Sequence, residues 1–171
     1  MQSRALIIDL RNCVGGDSKV TNVMAAWLLG AGKPLFRSVP RPETEEKEVR
    51  DESSTGVPRF TGPVAVITNY NTESQPEIFV AICKEYRCAC LFGERTAGAF
   101  NGGTMSVKLP GDFALFAVPF MRSVSPGGVD YEGRGVIPDV PVEPTGRAGD
   151  QPLAAALRLV AKDLQRTGPA Y

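Results

Sequence analysis

The sequence contains no histidine, and none of its four cysteines belongs to a Cys-x-x-Cys pair. Protein zinc sites combine cysteine and histidine at such short spacings, so these absences argue against a metal site. We expect the cysteines to be small buried thiols. Cys88 and Cys90 flank one residue of a strand-like stretch and are predicted to share one face of that strand.

Charge of one sign is not in excess, because 19 acidic residues balance 19 basic residues. No summed field is available to attract nucleic acid or an anionic membrane surface, so neither is expected as a partner. No run reaches the roughly 18 apolar residues that a membrane-spanning helix requires. A chain of 171 residues, 43% of them hydrophobic, can form one core, and we predict a single domain over residues 1–171.

The N-terminal residues do not resemble a signal peptide and lead directly into an apolar run, Ala5 to Leu10, with the length of a buried strand. A domain that starts so abruptly is predicted to be a piece of a longer protein, with further sequence upstream.

Two segments repeat the order strand, turn, helix. After the first strand comes Gly15-Gly16, and then apolar residues recur at helical spacing: Val20, Val23, Met24, Trp27 and Leu28. A second strand over 63–68 precedes a helix with the apolar residues Ile78, Phe79, Ile82 and Tyr86, and a third strand follows over 88–92. Two such units imply a largely parallel sheet with flanking helices, which is an α/β fold.

The segment 39–60 is charged, rich in proline and almost without apolar anchors, which predicts a mobile charged insertion. The alternative interpretation is a flap over a binding groove.

Beyond Gly98 the chain changes to glycine-punctuated segments, over 104–109, 113–118 and 120–124, which predict added antiparallel strands. A last helix is predicted from near Asp150 to Gly168. Its apolar face is predicted to carry Leu153, Leu157, Val160 and Leu164.

Ser74 stands where an apolar strand ends and a helix opens, and it has two interpretations. In the first, Ser74 and Glu77 form a capping box, in which each side chain bonds the other's backbone amide. In the second, Ser74 is a nucleophile, because the free amides and the positive dipole end of a helix stabilise an oxyanion formed beside them. The two are compatible, since Glu77 can satisfy the helix end while the hydroxyl faces a substrate.

Several separated motifs occur in a characteristic order. An apolar strand runs into Asp-Leu-Arg-Asn and a glycine pair over 6–16, and a second strand begins with Gly-Pro-Val-Ala-Val over 62–66. Thr-Glu-Ser-Gln-Pro-Glu occupies 72–77, and two glycine-containing motifs occupy 93–98 and 132–140. In this order, and over nearly the whole chain, the motifs resemble those of the tail-specific (C-terminal processing) serine proteases.

The resemblance implies a crotonase-like (ClpP-like) core and places the family's nucleophile on Ser74. Its oxyanion donors fall on the amide of Gln75 and on one of Gly15 and Gly16. Glycine suits the second donor, because a turn without Cβ can adopt positive φ and bring an amide close to the substrate carbonyl. From the residues alone, Gly15-Gly16 is equally a tight strand-to-helix turn.

The general base is where this sequence departs from the family. Bacterial members end the pattern Gly-Glu-Arg-Thr-Phe-Gly-Lys with a basic lysine, whereas this chain has Ala99 there, and a serine hydroxyl needs a base to become a useful nucleophile. A tricorn-like branch instead uses a histidine paired with a serine from upstream, together with a glutamate whose position matches Glu132. The local alternative for Glu132 is a solvated residue, or a hydrogen-bond partner, of a β-turn.

The resemblance implies a serine endopeptidase that cleaves unstructured or C-terminal protein segments through an acyl-enzyme, with no metal or organic cofactor. Expected partners are a protein or peptide substrate and an upstream domain, helical or PDZ-like, that supplies the base. Without that base we expect the isolated chain to be inactive. Export, for example to the periplasm, is implied by the family alone.

Two other functions are compatible with the same motifs. A non-catalytic ligand- or peptide-binding module of the same fold, as in interphotoreceptor retinoid-binding protein, would have lost its general base. An acyl-CoA enzyme of the broader crotonase-like group would use the oxyanion glycines without Ser74.

Overall fold

The computed structural model describes residues 3–40, 47–50, 58–112, 115–143 and 149–167. Within them lie three α-helices and eight strands, in the order β1 (Leu6–Asp9), α1 (Ser18–Leu29), β2 (Pro34–Pro40), β3 (Lys47–Arg50), β4 (Val64–Thr68), α2 (Gln75–Tyr86), β5 (Cys90–Gly93), β6 (Gly102–Lys108), β7 (Leu115–Val124), β8 (Val140–Pro141) and α3 (Gln151–Thr167), with a short 3-10 helix (Pro110–Asp112) between β6 and β7. The predicted α/β class is confirmed.

The first sheet is parallel throughout, with the strand order β1-β4-β5-β8. Its strand β4 is buried along its whole length, and its side chains alternate between two layers. Val64 and Val66 pack with the residues of α1 and α2, whereas Ala65 and Ile67 pack with those of α3. The sheet is thus covered on both faces, and the carboxyl ends of its strands meet at one edge, where α/β proteins bind ligands.

The second sheet is antiparallel, with the order β3-β2-β7-β6. It contains the predicted antiparallel strands, but residues 115–118 and the segment predicted over 120–124 belong to one strand, β7, that continues through Pro119. Residues 113–114 lie outside the described residues. The strand can continue because β2 pairs only with residues 121–124 of β7, so the proline nitrogen needs no partner on that side.

Part of the segment 39–60, predicted to be a mobile insertion, is regular structure. Val39 and Pro40 complete β2, and Lys47–Arg50 forms β3, in which Val49 lies opposite Phe36. The pairing with β2, rather than any apolar pattern of its own, places β3 in the sheet. Residues 41–46 and 51–57 lie outside the described residues, and their mobility stays a prediction.

Three predicted side-chain orientations are wrong. Cys88 precedes β5 and packs with the α1 and α2 layer, whereas Cys90 packs with α3, because the two-residue alternation starts only at the strand itself. In α3, Leu153, Val160 and Leu164 pack in or against the core as predicted, together with Ala156, but Leu157 is 52% exposed. In α1, Leu28 is buried and Met24 and Trp27 pack against the core, as the spacing predicts, but Val20 and Val23 are exposed.

Within the described ranges, no helix has both the length and the apolar content needed to cross a membrane.

Candidate active site

Ser74 immediately precedes α2 and has a strained backbone, with φ 59° and ψ −123°. For a residue other than glycine, such a conformation costs roughly 1–3 kcal/mol. An ordinary N-cap is extended instead, as at Asp17 before α1, where φ is −84°, ψ is 132° and the carboxylate accepts from Lys19 N at 2.8 Å. Capping alone therefore does not require the conformation of Ser74.

Hydrogen bonds to two other segments of the chain hold the backbone around Ser74. The amide of Ser74 donates to the carbonyl of Ala99 at 3.1 Å and to Glu77 Oε2 at 3.2 Å. The preceding amide, of Glu73, donates to the carbonyl of Cys13 at 2.9 Å. The amide of Ser74 is therefore occupied and is not a donor for a substrate oxyanion.

Gly15, in the loop between β1 and α1, lies directly against Ser74. A Cβ atom added to Gly15 would be 3.7 Å from Ser74 Cβ and 3.9 Å from Ser74 Oγ. Gly15 has φ +144°, whereas Gly16 is exposed and would have no atom within 4 Å of an added Cβ. The structure thus brings Gly15 and Ser74 together and leaves Gly16 further out.

Three amides of the two segments that meet here have no hydrogen-bond acceptor among the described residues: those of Gly15, Gly16 and Gln75. Gln75 is the first residue of α2, and its carbonyl accepts from Thr21 Oγ1 of α1 at 3.3 Å, so the N-termini of the two helices are joined there. This arrangement can bind a negative oxygen between a helix N-terminus and the Gly15-Gly16 loop.

An asparagine network, which sequence reasoning missed, fixes the loops after β1 and β4 to each other. Asn12, with φ 59°, donates its amide to Asn69 Oδ1 at 3.0 Å. Its own Oδ1 accepts from the side-chain amides of Asn69 at 3.0 Å and Asn71 at 3.1 Å. Asparagines following two neighbouring parallel strands are the sequence signal that could have identified it.

The segment 96–99 forms a wall beside Ser74 and is bound to Glu77, which is buried with 0% exposure. The Glu77 carboxylate accepts from Thr96 Oγ1 at 2.6 Å, from Gly98 N at 2.7 Å and from Ala99 N at 2.8 Å. The capping pattern in the sequence predicts only the bond from the Ser74 amide to Glu77. The position of a glutamate three residues after the serine was visible, but its partners 19 to 22 residues away were not.

Glu132 lies beyond this wall and makes no hydrogen bond to Ser74 in the described structure. It is exposed, and its Oε2 accepts from the amides of Phe100 at 2.8 Å and Asn101 at 2.7 Å. The ring of Phe100 packs on that of Tyr131 with centroids 5.5 Å apart. The pKa of the Tyr131 hydroxyl is raised, mainly by burial and to a smaller extent by the negative charge of Glu85. Glu132 thus holds the backbone next to Ala99.

A cavity of about 300 Å³ adjoins the site at the carboxyl edge of the parallel sheet. Its walls include Asp9, Arg11, Asn69 and Glu94. The guanidinium of Arg11 is already paired with Asp9 and Asp150, and its hydrogen bonds lower the pKa of both carboxyls. Among the described residues, no group of three or more histidine, cysteine or acidic side chains is placed to hold a metal ion.

Comparison with known proteins identifies the class. The profile of "Peptidase family S41" matches residues 1–142, and the chain belongs to that family. This confirms the predicted resemblance. A protein of Staphylococcus aureus (strain N315) named "Probable CtpA-like serine protease" is 24% identical over 140 residues, or 82% of this chain and 27% of that protein.

Two solved structures have the same fold. The photosystem II D1 C-terminal processing protease matches with a TM-score of 0.66 and 25% identity over 94% of this chain and 39% of that one. The tricorn protease matches with a TM-score of 0.64 and 24% identity over 93% of this chain and 15% of that one. The chain spans about a quarter of the length of the curated relative that it matches.

Proposed function

We propose that this chain is the nucleophile-bearing part of a serine endopeptidase that cleaves unstructured or C-terminal protein segments. Ser74 Oγ attacks the peptide carbonyl and forms an acyl-enzyme, the amine leaves with a proton, and water hydrolyses the ester. The observation that carries this proposal is the strained backbone of Ser74 at a helix N-terminus, directly against Gly15. Membership of the S41 family and the similarity to a C-terminal processing protease support it.

The oxyanion of the tetrahedral intermediate would be bound by the amide of Gln75 and by that of Gly15 or Gly16. These amides have no other acceptor in the described structure. Gln75 opens α2 directly after Ser74, and Gly15 lies against the serine side chain. Removing one such donor typically costs a factor of roughly 10²–10³ in kcat.

The proton of Ser74 must be accepted by a group from elsewhere in the protein. The chain contains no histidine, and Ala99 presents an exposed methyl group where the bacterial pattern has a lysine. An upstream segment would supply the base, with Glu132 orienting it as in the tricorn-like arrangement. Because general-base assistance is worth about 10²–10⁴-fold, the isolated chain should show little peptidase activity.

The non-catalytic binding module is the second candidate, and the same observation at Ala99 favours it. Such a protein would keep the fold and the cleft beside Ser74 but would not acylate its serine.

Labelling with a fluorophosphonate, located by mass spectrometry, tests the proposal. It should be carried out on this chain and on a protein that includes the native sequence upstream. In the longer protein, Ser74 should become modified and an unstructured peptide should be hydrolysed. Ser74→Ala should abolish both activities, whereas Ser3→Ala, which changes an exposed serine, should affect neither.

Two results would contradict this proposal, one concerning the function and the other the location of the base. A longer protein that leaves Ser74 unlabelled and cleaves no peptide would favour the binding module. Rapid cleavage by this chain alone, abolished by Ser74→Ala, would show that the base lies within it.

A further inference from the structure

The buried carboxylate of Glu77 is bonded only to groups that surround the nucleophile. Its four donors are the Ser74 amide, the Thr96 hydroxyl and the amides of Gly98 and Ala99. A buried carboxylate is tolerated only when such donors replace water, and hydrogen bonds to an ionised acceptor are about twice as strong as neutral ones. Glu77 lies in the first turn of α2, where the positive end of the helix dipole favours a carboxylate.

Four successive backbone amides, at residues 98–101, are held by two carboxylates. Glu77 accepts from the amides of Gly98 and Ala99, and Glu132 from those of Phe100 and Asn101. The backbone orientation is therefore fixed residue by residue. The amide of Ala99 donates to Glu77, and the carbonyl of Ala99 accepts from the amide of Ser74.

Glu77 consequently contacts Ser74 by two routes, one direct and one through Ala99. Both routes end on the same amide, and that amide belongs to the residue with the strained backbone. A strained backbone of this kind persists only where several surrounding contacts together hold it in place. The backbone conformation sets the direction of the Cα–Cβ bond, and the hydroxyl can occupy only the staggered positions about that bond.

We propose that Glu77 is a positioning residue for the Ser74 reaction, which holds the serine backbone in its strained conformation and so directs the hydroxyl at the substrate carbonyl. This inference rests on the proposed function. Glu77 neither touches the substrate nor takes the proton. Its effect should therefore appear in the rate of the chemical step and leave inhibitor binding unchanged.

The test is the rate at which a fluorophosphonate phosphonylates Ser74 in the longer protein, separated into the maximal rate constant kinact and the inhibitor constant KI. Glu77→Gln keeps the shape but turns one acceptor into a donor that faces backbone amides. We expect kinact to fall about tenfold or more, because small misplacements of a reacting group cost up to about 10²-fold, and KI to change less than about twofold. Glu77→Asp, which keeps the charge, should give an intermediate kinact and serves if the glutamine variant does not fold.

Asp139→Asn is the matched control. The Asp139 carboxylate also holds a backbone amide, that of Leu91 at 3.0 Å, together with Lys84 at 2.8 Å, but it lies at β5 and β8 away from Ser74. It should lower stability and leave kinact unchanged. Equal losses of kinact in the Glu77 and Asp139 variants, or no loss in either, would overturn the proposal.

Amide hydrogen exchange separates this inference from the proposed function. If wild-type Ser74 is not labelled at all, the proposed function fails, and the exchange rates then decide about Glu77. Faster exchange at Ser74, Gly98 and Ala99 in Glu77→Gln, with Phe100 and Asn101 still protected by Glu132, supports the positioning role. Unchanged protection at Ser74 refutes it.

Discussion

Gly15 and Ser74 face each other so closely that a methyl group on Gly15 would be in van der Waals contact with the serine side chain, 3.7 Å from its Cβ and 3.9 Å from its Oγ. Nothing comparable surrounds Gly16. The two glycines of one motif therefore have different environments, which makes them a matched pair for mutation.

Gly15→Ala should impair the site more than Gly16→Ala. At Gly15 the alanine would have to adopt φ +144°, and relief of that strain would shift the loop that contacts Ser74, whereas Gly16 has no positive φ and open space around it. We expect Gly15→Ala to lose about 1–2 kcal/mol of stability and at least about tenfold in the rate of fluorophosphonate labelling. Urea unfolding and fluorophosphonate kinetics measure the two effects. Equal behaviour of both variants would contradict the environments described above.

Cys88 should be alkylated faster than Cys90. The pKa of Cys88 is lowered by a hydrogen bond from the thiol of Cys83, and burial opposes this shift more weakly. The pKa of Cys90 is raised, first by burial and then by the charge of Asp139. The thiolate is the reactive form, so at about pH 8 a larger fraction of Cys88 can react. Mass spectrometry after brief iodoacetamide treatment measures the order. In Cys83→Ala the advantage of Cys88 should shrink; an unchanged ratio would mean that the hydrogen bond has no such effect.

The sequence predicted the elements whose pattern is local. β1 and β4 are apolar runs and α2 has helical spacing, so the parallel sheet and the position of Ser74 before a helix followed directly. β3 was missed because its place depends on pairing with β2. The same reason applies to Glu77: a capping pattern specifies one bond within the helix end, but the other donors come from a distant loop that only the fold brings near.

Acid should reduce the stabilising effect of Arg11. Its hydrogen bonds lower the pKa of Asp9 from 3.8, so the unfolded state binds the proton more readily than the folded state does. The contribution is therefore fully present above 3.8 and is lost as the pH falls through the lower folded value. Asp9 is 45% exposed, so the bridge should be worth only about 0.5–1 kcal/mol.

Urea unfolding of the wild type and of Arg11→Gln checks this expectation. The stability difference should be present at neutral pH and should shrink in acid, as the pH falls below 3.8. Asp9→Asn, which cannot take up the proton, should show the same convergence with the wild type in acid. A stability difference that grows as the pH falls would contradict the predicted direction of the pH dependence.

Ala99→Lys should activate Ser74 in this chain alone. The side chain of Ala99 is exposed, while its backbone carbonyl is 3.1 Å from the Ser74 amide, so a lysine there has room to reach the hydroxyl without disturbing the wall. A neutral lysine can accept the serine proton, and the gain should increase with pH as the ammonium loses its charge. General-base assistance is worth about 10²–10⁴-fold in an evolved site, and we expect about tenfold or more here.

The pH dependence of fluorophosphonate labelling measures this gain, with the double variant Ala99→Lys/Ser74→Ala as the blank. Ala97→Lys is the matched control, because Ala97 is exposed in the same loop and its amide donates to the carbonyl of Thr72 rather than holding Ser74. The control should give no gain. If Ala99→Lys and Ala97→Lys are labelled equally, position 99 does not face the nucleophile, and the base must approach Ser74 from another side.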